Sequence, residues 1–197
     1  LENYFNMTKR IWMVSDSHLG CRSNSVLWLK IIEDYFFEFF IPLVKKEYKK
    51  GDVLYHLGDV FDNRQSVNLA AQDLAIRVFE ELGKIFPDIH IIVGNHDIMR
   101  KNSNERFKRV YSGHIHYRQD KENFVLVGNP YQMTRSDRDN QKGIYLLDLE
   151  TGKHQFFENH VSPIFIRYYI NEILEMRMED VAKEIQDNFV DVFIPSN

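Results

Sequence analysis

Apolar, β-branched runs that break off at short polar loops set the rhythm of this chain. Ile11 to Ser15 gives way to Asp16-Ser17-His18-Leu19-Gly20, and Asp52 to Leu57 opens into Gly58-Asp59-Val60-Phe61-Asp62. Ile91-Ile92-Val93 stops at Gly94-Asn95-His96-Asp97. Short continuous apolar runs bounded by turn residues predict buried strands. Between them the apolar spacing turns helical. Leu27, Ile31, Tyr35, Phe36, Phe39, Phe40 and Leu43 make one aromatic-rich face, with Pro42 expected to bend or end the first segment. Ala71, Leu74, Ala75, Val78, Phe79 and Leu82 make another, stopping at Gly83. The order β-α-β-α-β predicts parallel strands joined by crossover helices.

The pattern changes over residues 124–159. Short strands at 124–127, 143–148 and 153–157, with Glu150-Thr151-Gly152-Lys153 as a hairpin turn, predict an antiparallel meander in a second sheet. After Pro163 a strand (164–170), an amphipathic helix (178–189) and a further strand (190–194) follow. They suggest the opening of a second small α/β domain over 162–197. Residues 1–7 resemble a protease-cleavage tag remnant, with Met7 as the natural start, and are set aside.

Composition bounds rather than decides. A chain of 197 residues, 44% apolar and 27% charged, suits one globular domain with part of another. No apolar run reaches the roughly 20 residues a bilayer span needs, so no membrane partner is expected. The single cysteine, Cys21, forbids an internal disulfide and fits a reducing cytoplasm. The formal charge of −4 is not the footprint of a generic nucleic-acid binder. Two bound divalent cations would cancel it (−4 + 4 = 0), so global charge does not settle the substrate.

The chemistry lies at the strand ends, where α/β sheets place their ligand crevices. Asp16 and His18, two apart, can point at one cation. Asp59 follows a glycine in the same way. Asn95 offers a neutral oxygen, His96 can bind metal or move a proton, and Asp97 can orient an imidazole. In Tyr111-Ser112-Gly113-His114-Ile115-His116 the two histidines share one side of an extended backbone. Each fragment alone reads equally well as a helix cap or a turn. Their repetition at successive strand ends argues for one shared site.

Asp-x-His, Gly-Asp, Gly-Asn-His-Asp and Gly-His-x-His, in that order, resemble the signature of the calcineurin-like metallophosphoesterases over about residues 9–160. The resemblance implies an α/β fold, a four-layer α/β/β/α sandwich over 8–161, followed by the start of a small α/β capping domain. It implies two divalent ions, Mn²⁺ foremost, with Zn²⁺, Fe²⁺ or Mg²⁺ also suited to oxygen and imidazole donors. Asp16, His18 and His116 would hold one ion, Asn95 and His114 the other, and Asp59 would bridge them. His96 would protonate the leaving oxygen with Asp97 holding its ring.

The finer resemblance is to DNA double-strand-break repair exonucleases of the SbcD type and phage recombination endonucleases. It rests on Asp16 to Gly20, Gly58 to Asp62, Gly128-Asn129-Pro130-Tyr131-Gln132 and Lys142 to Asp148. It implies a Mn-dependent DNA exonuclease or endonuclease, a homodimer, and partnership with an SMC-like ABC ATPase in a prokaryotic or phage-infected cytoplasm. Arg64, Arg135 and Arg138 are the candidate DNA contacts. The alternatives are another calcineurin-like phosphodiesterase or phosphatase, or an impaired scaffold that docks the ATPase. The pattern departs in one place. Only 17 residues (97–113) separate His96 from His114, where the family carries several tens, including a histidine for the second metal. A segment is therefore expected to be missing near 103–106. Asp62 stands where some members carry a histidine.

Overall fold

The computed structural model describes residues 10–62, 68–92, 110–121 and 124–195. Its centre is a five-stranded sheet in the order β3-β2-β1-β7-β8. β1 (Arg10–Val14), β2 (Val53–His56) and β3 (Ile89–Ile91) run parallel. β7 (Gly143–Asp148) and β8 (His154–Glu158) extend the sheet antiparallel on the other side of β1. A three-stranded sheet faces it, built from β4 (Val110–Ser112), β5 (Gln119–Lys121) and β6 (Phe124–Leu126) in the order β4-β6-β5.

Alternation along β1 and β7 separates two cores. Trp12, Val14, Ile144 and Leu146 point to one face, where the helices cover them. Met13 and Tyr145 point to the other, against Val125 and Val127 of the smaller sheet's side. The helical cover is α1 (Val26–Asp34), α2 (Ile41–Glu47) and α3 (Leu69–Gly83). Pro42 leaves the carbonyl one turn back without its N–H, and the ladder ahead of α2 widens to π-helical spacing over Tyr35–Phe40. Tyr35, Phe36 and Phe40 in that stretch are buried, so the aromatic face packs as core. Helices, large sheet and small sheet are three of the four expected layers. Residues 93–109, between β3 and β4, lie outside the described residues, and with them the suspected break near 103–106.

One expectation is corrected. β7 and β8 are not part of the second sheet; only β6 is. Ile144, Tyr145 and Leu146 put large apolar side chains on both faces of β7. Only a strand inside the large sheet has cover on both sides.

The chain ends in β9 (Phe165–Tyr169), α4 (Ile170–Glu175), α5 (Met178–Ile185) and β10 (Phe189–Phe193), with β9 and β10 paired in parallel. This unit is joined to the helical layer by Phe165, which is buried in the main core, and by Phe189, whose ring stacks on Trp28 at 5.4 Å. Asp191 of β10 takes both Arg135, at 2.7 Å, and Arg138, at 3.1 Å.

Candidate metal centre

The carboxyl ends of β1 and β2 are stitched together past their last paired residues. The amides of Asp16, His18 and Leu19 donate to the carbonyls of Gly58, Asp59 and Val60 at 3.1, 3.0 and 2.9 Å, and Asp62 N returns a bond to Leu19 O. This extra ladder fixes the Asp-x-His loop against the Gly-Asp loop. Asp16, His18, Asp59 and His114 all sit in left-handed backbone, with φ of 53°, 42°, 52° and 71°. Non-glycine residues adopt that region at a cost, and such residues cluster where a site dictates their conformation.

The fourth motif reaches the same point from the smaller sheet. β4 ends at Ser112, and Gly113 then passes so close to the first loop that a Cβ on it would lie 2.1 Å from Ser15 Oγ and 2.9 Å from Leu57 O. Glycine is required there by contact. The closeness lets the His114 amide donate to Asp16 Oδ2 at 2.9 Å.

Asp16, His18 and His116 each bring one ligand atom within 4.8 Å of the others'. Asp16 Oδ1 lies 3.8 Å from His18 Nε2 and 4.0 Å from His116 Nε2. It is buried with no hydrogen-bond partner. A buried carboxylate oxygen left bare is costly unless a cation satisfies it. The two Nε2 atoms face each other at 3.2 Å. This donor set of one hard oxygen and two imidazoles fits a divalent ion such as Mn²⁺, Zn²⁺ or Fe²⁺. Beside it, His114 Nδ1 stands 3.5 Å from Asp59 Oδ2, half exposed at the rim.

The electrostatics agree. Burial works against the Asp16 carboxylate, yet the nearby His18 and hydrogen bonds from Ser15 and the His114 amide outweigh it and hold its carboxyl below the usual range. Burial also resists charge on His18, but Asp16, Asp62 and Asp59 prevail and raise it. His116 goes the other way, lowered by burial and by the neighbouring His18.

Several participants escape a reading of motifs. Asp62 Oδ1 lies 3.2 Å from His18 Nδ1, close enough to act on its charge though the pair makes no hydrogen bond. Its signal was a second carboxylate three residues after Asp59. Beneath the first loop, Ser17 Oγ meets His56 Nε2 at 2.8 Å, and the Tyr131 hydroxyl donates to Ser17 O. His56 is buried, His90 stacks on Tyr55, His154 bridges Tyr111 and Asp120, and His160 is exposed. Of the other sequence candidates, Arg64, Asn95, His96 and Asp97 lie outside the described residues. Ile92, the last described residue before that motif, donates to His56 O at 2.8 Å, which keeps β3's end beside β2's.

Facing sheets, stitched strand-end loops and an oxygen–imidazole cluster make a site suited to a divalent ion. The chain belongs to the calcineurin-like phosphoesterase family, matched over residues 9–194. Over 56 residues it is 30% identical to Exonuclease subunit 1 of Enterobacteria phage T4, a match covering 28% of this chain and 16% of that protein. Among solved structures it is similar to a single mutant of Vps29 from Entamoeba histolytica, at 12% identity and a TM-score of 0.41, over 77% of this chain and 99% of that one. No described helix is long and apolar enough to cross a membrane.

Proposed function

We propose that this chain is the nuclease subunit of a DNA repair and recombination machine, cutting phosphodiester bonds with two Mn²⁺ ions. The cluster of Asp16, His18 and His116 around one bare carboxylate oxygen carries the hydrolytic half of this reading. Support for the nucleic-acid half is the partial likeness to a phage exonuclease subunit, of whose length the match spans 16%. When bound, the ions would supply hydroxide at neutral pH and neutralise charge building on the phosphate.

The chain's own residues do the rest. Asp16, His18 and His116 would hold one ion, with Asp62 beside the His18 ring. Asp59, His114 and Asn95 would hold a second ion. His96, held by Asp97, gives its proton to the departing oxygen. Residues 162–197 begin a capping domain on the DNA side, with Arg64, Arg135 and Arg138 as candidate phosphate contacts. The machine would be a cytoplasmic homodimer working with an SMC-like ABC ATPase.

The test is DNA cleavage in Mn²⁺ by the unmodified chain, Asp59→Ala and His96→Ser. Both substitutions should remove most of the activity. Undiminished cleavage by both would overturn the assignment, and hydrolysis of cyclic nucleotides or phosphopeptides with no DNA cleavage would move the substrate elsewhere.

A further inference from the structure

Lys142 and Asp137 form a buried charged pair that the hydrolytic site does not use. Lys142 and Asp137 each expose only 4% of their side chains and meet at 2.9 Å. Such a pair is expensive to bury and seldom the best way to stabilise a core. Its geometry points elsewhere. The Lys142 ammonium also donates to the backbone carbonyl of His116 at 2.7 Å. Asp137 is itself immobilised, its other oxygen accepting the amides of Met133 and Thr134 at 3.0 and 2.8 Å.

The same turn grips the chain two residues on. Asn140 accepts from the Arg118 amide at 2.8 Å and donates to the Arg118 carbonyl at 3.1 Å. Gly128, at φ +75°, lies so near that a Cβ would stand 3.0 Å from His116 O and from Arg118 N. The backbone carrying His116 is therefore clamped, while His116 itself sits in an open loop beyond the end of β4.

We propose that Lys142, anchored by Asp137, is a positioning residue for the metal centre: its ammonium holds the His116 carbonyl so that the imidazole meets Asp16 and His18 at one point. The inference rests on His116 being a ligand, as proposed above. A lone ammonium suits the task because it is a compact point donor able to serve a carbonyl and a carboxylate together. Partners one step behind a ligand change metal affinity by about 10- to 100-fold.

The full chain is titrated with Mn²⁺ by calorimetry, and with Co²⁺ while its visible absorption is followed. The unmodified protein is compared with Lys142→Met and His116→Ala. Lys142→Met should weaken one Mn²⁺ about 10- to 100-fold and alter the Co²⁺ spectrum of protein that is still folded by circular dichroism. A lysine that served only stability would lower the melting temperature and leave metal affinity and spectrum alone. If His116→Ala loses the ion while Lys142→Met binds it like the parent, the positioning role is wrong and the ligand assignment stands. If His116→Ala binds like the parent, the ligand assignment fails and this inference with it. Should Lys142→Met not fold, the double variant Lys142→Met/Asp137→Leu, which leaves no unpaired buried charge, replaces it in both titrations. Weakened Mn²⁺ binding by that variant supports the positioning role, and binding like the parent overturns it.

Discussion

His18 and His116 face each other Nε2 to Nε2 at 3.2 Å, with ring centroids 5.0 Å apart and the planes crossed at 65°. Without an ion, two imidazole nitrogens that close must share a proton or repel, and the Asp16 carboxylate beside them favours the proton.

Metal binding therefore competes with acid. His18 is raised above 6.5 because its carboxylate neighbours outweigh burial, so its proton is increasingly present as pH falls through and below that raised value. Mn²⁺ affinity should drop by about an order of magnitude between about pH 8 and pH 6, with proton release on binding. Calorimetry in buffers of different ionisation enthalpy reads both quantities. An affinity flat across that range would contradict competition by a proton on His18.

His56 predicts an acid effect on stability. Burial pushes it down to about 4 from 6.5. The unfolded chain thus binds a proton below pH 6.5 that the folded chain refuses until about 4. Stability is intact above 6.5 and falls as pH drops through that window, by about 3 kcal/mol at its lower end. Urea unfolding across the window should show the loss, and His56→Gln should flatten it.

Asp52 holds the start of β1 to the start of β2. It is fully buried and accepts from Arg10 Nε at 2.9 Å, Arg10 Nη2 at 2.6 Å and Trp12 Nε1 at 3.0 Å. Asp52→Ala strands the guanidinium and should cost about 3–5 kcal/mol in chemical denaturation. Arg10→Met/Asp52→Leu should recover most of that.

Gly113→Ala should act on stability and site together. Ser15 Oγ can rotate away from the new methyl, but Leu57 O, at 2.9 Å, is backbone and cannot. A loss of about 1–3 kcal/mol is expected, with weaker Mn²⁺ binding, since the same approach brings the His114 amide to Asp16. A variant as stable as the parent would show that the loop has room.

How much of this was legible follows from the range of each interaction. The first two loops could be read because each candidate donor follows its own strand within a few residues, and local patterning reports that. Sheet membership could not: Gly143 to Asp148 and His154 to Glu158 look like any hairpin until β1 accepts the first of them as a neighbour. Lys142 reads as a surface lysine, since its target carbonyl is 26 residues upstream. Arg135 and Arg138 carry charge suited to DNA, yet sequence offers no hint that Asp191, 56 and 53 residues later, engages both.

The face-to-face contact of Trp28 with Phe189 has a practical consequence. The chain has two tryptophans, and the other, Trp12, lies wholly inside the main core on β1. Replacing Trp12 with phenylalanine would leave a protein whose intrinsic fluorescence comes from one indole, seated against the strand that closes the C-terminal unit. Its emission would then signal, without any added label, whether that appendage is docked or has swung free.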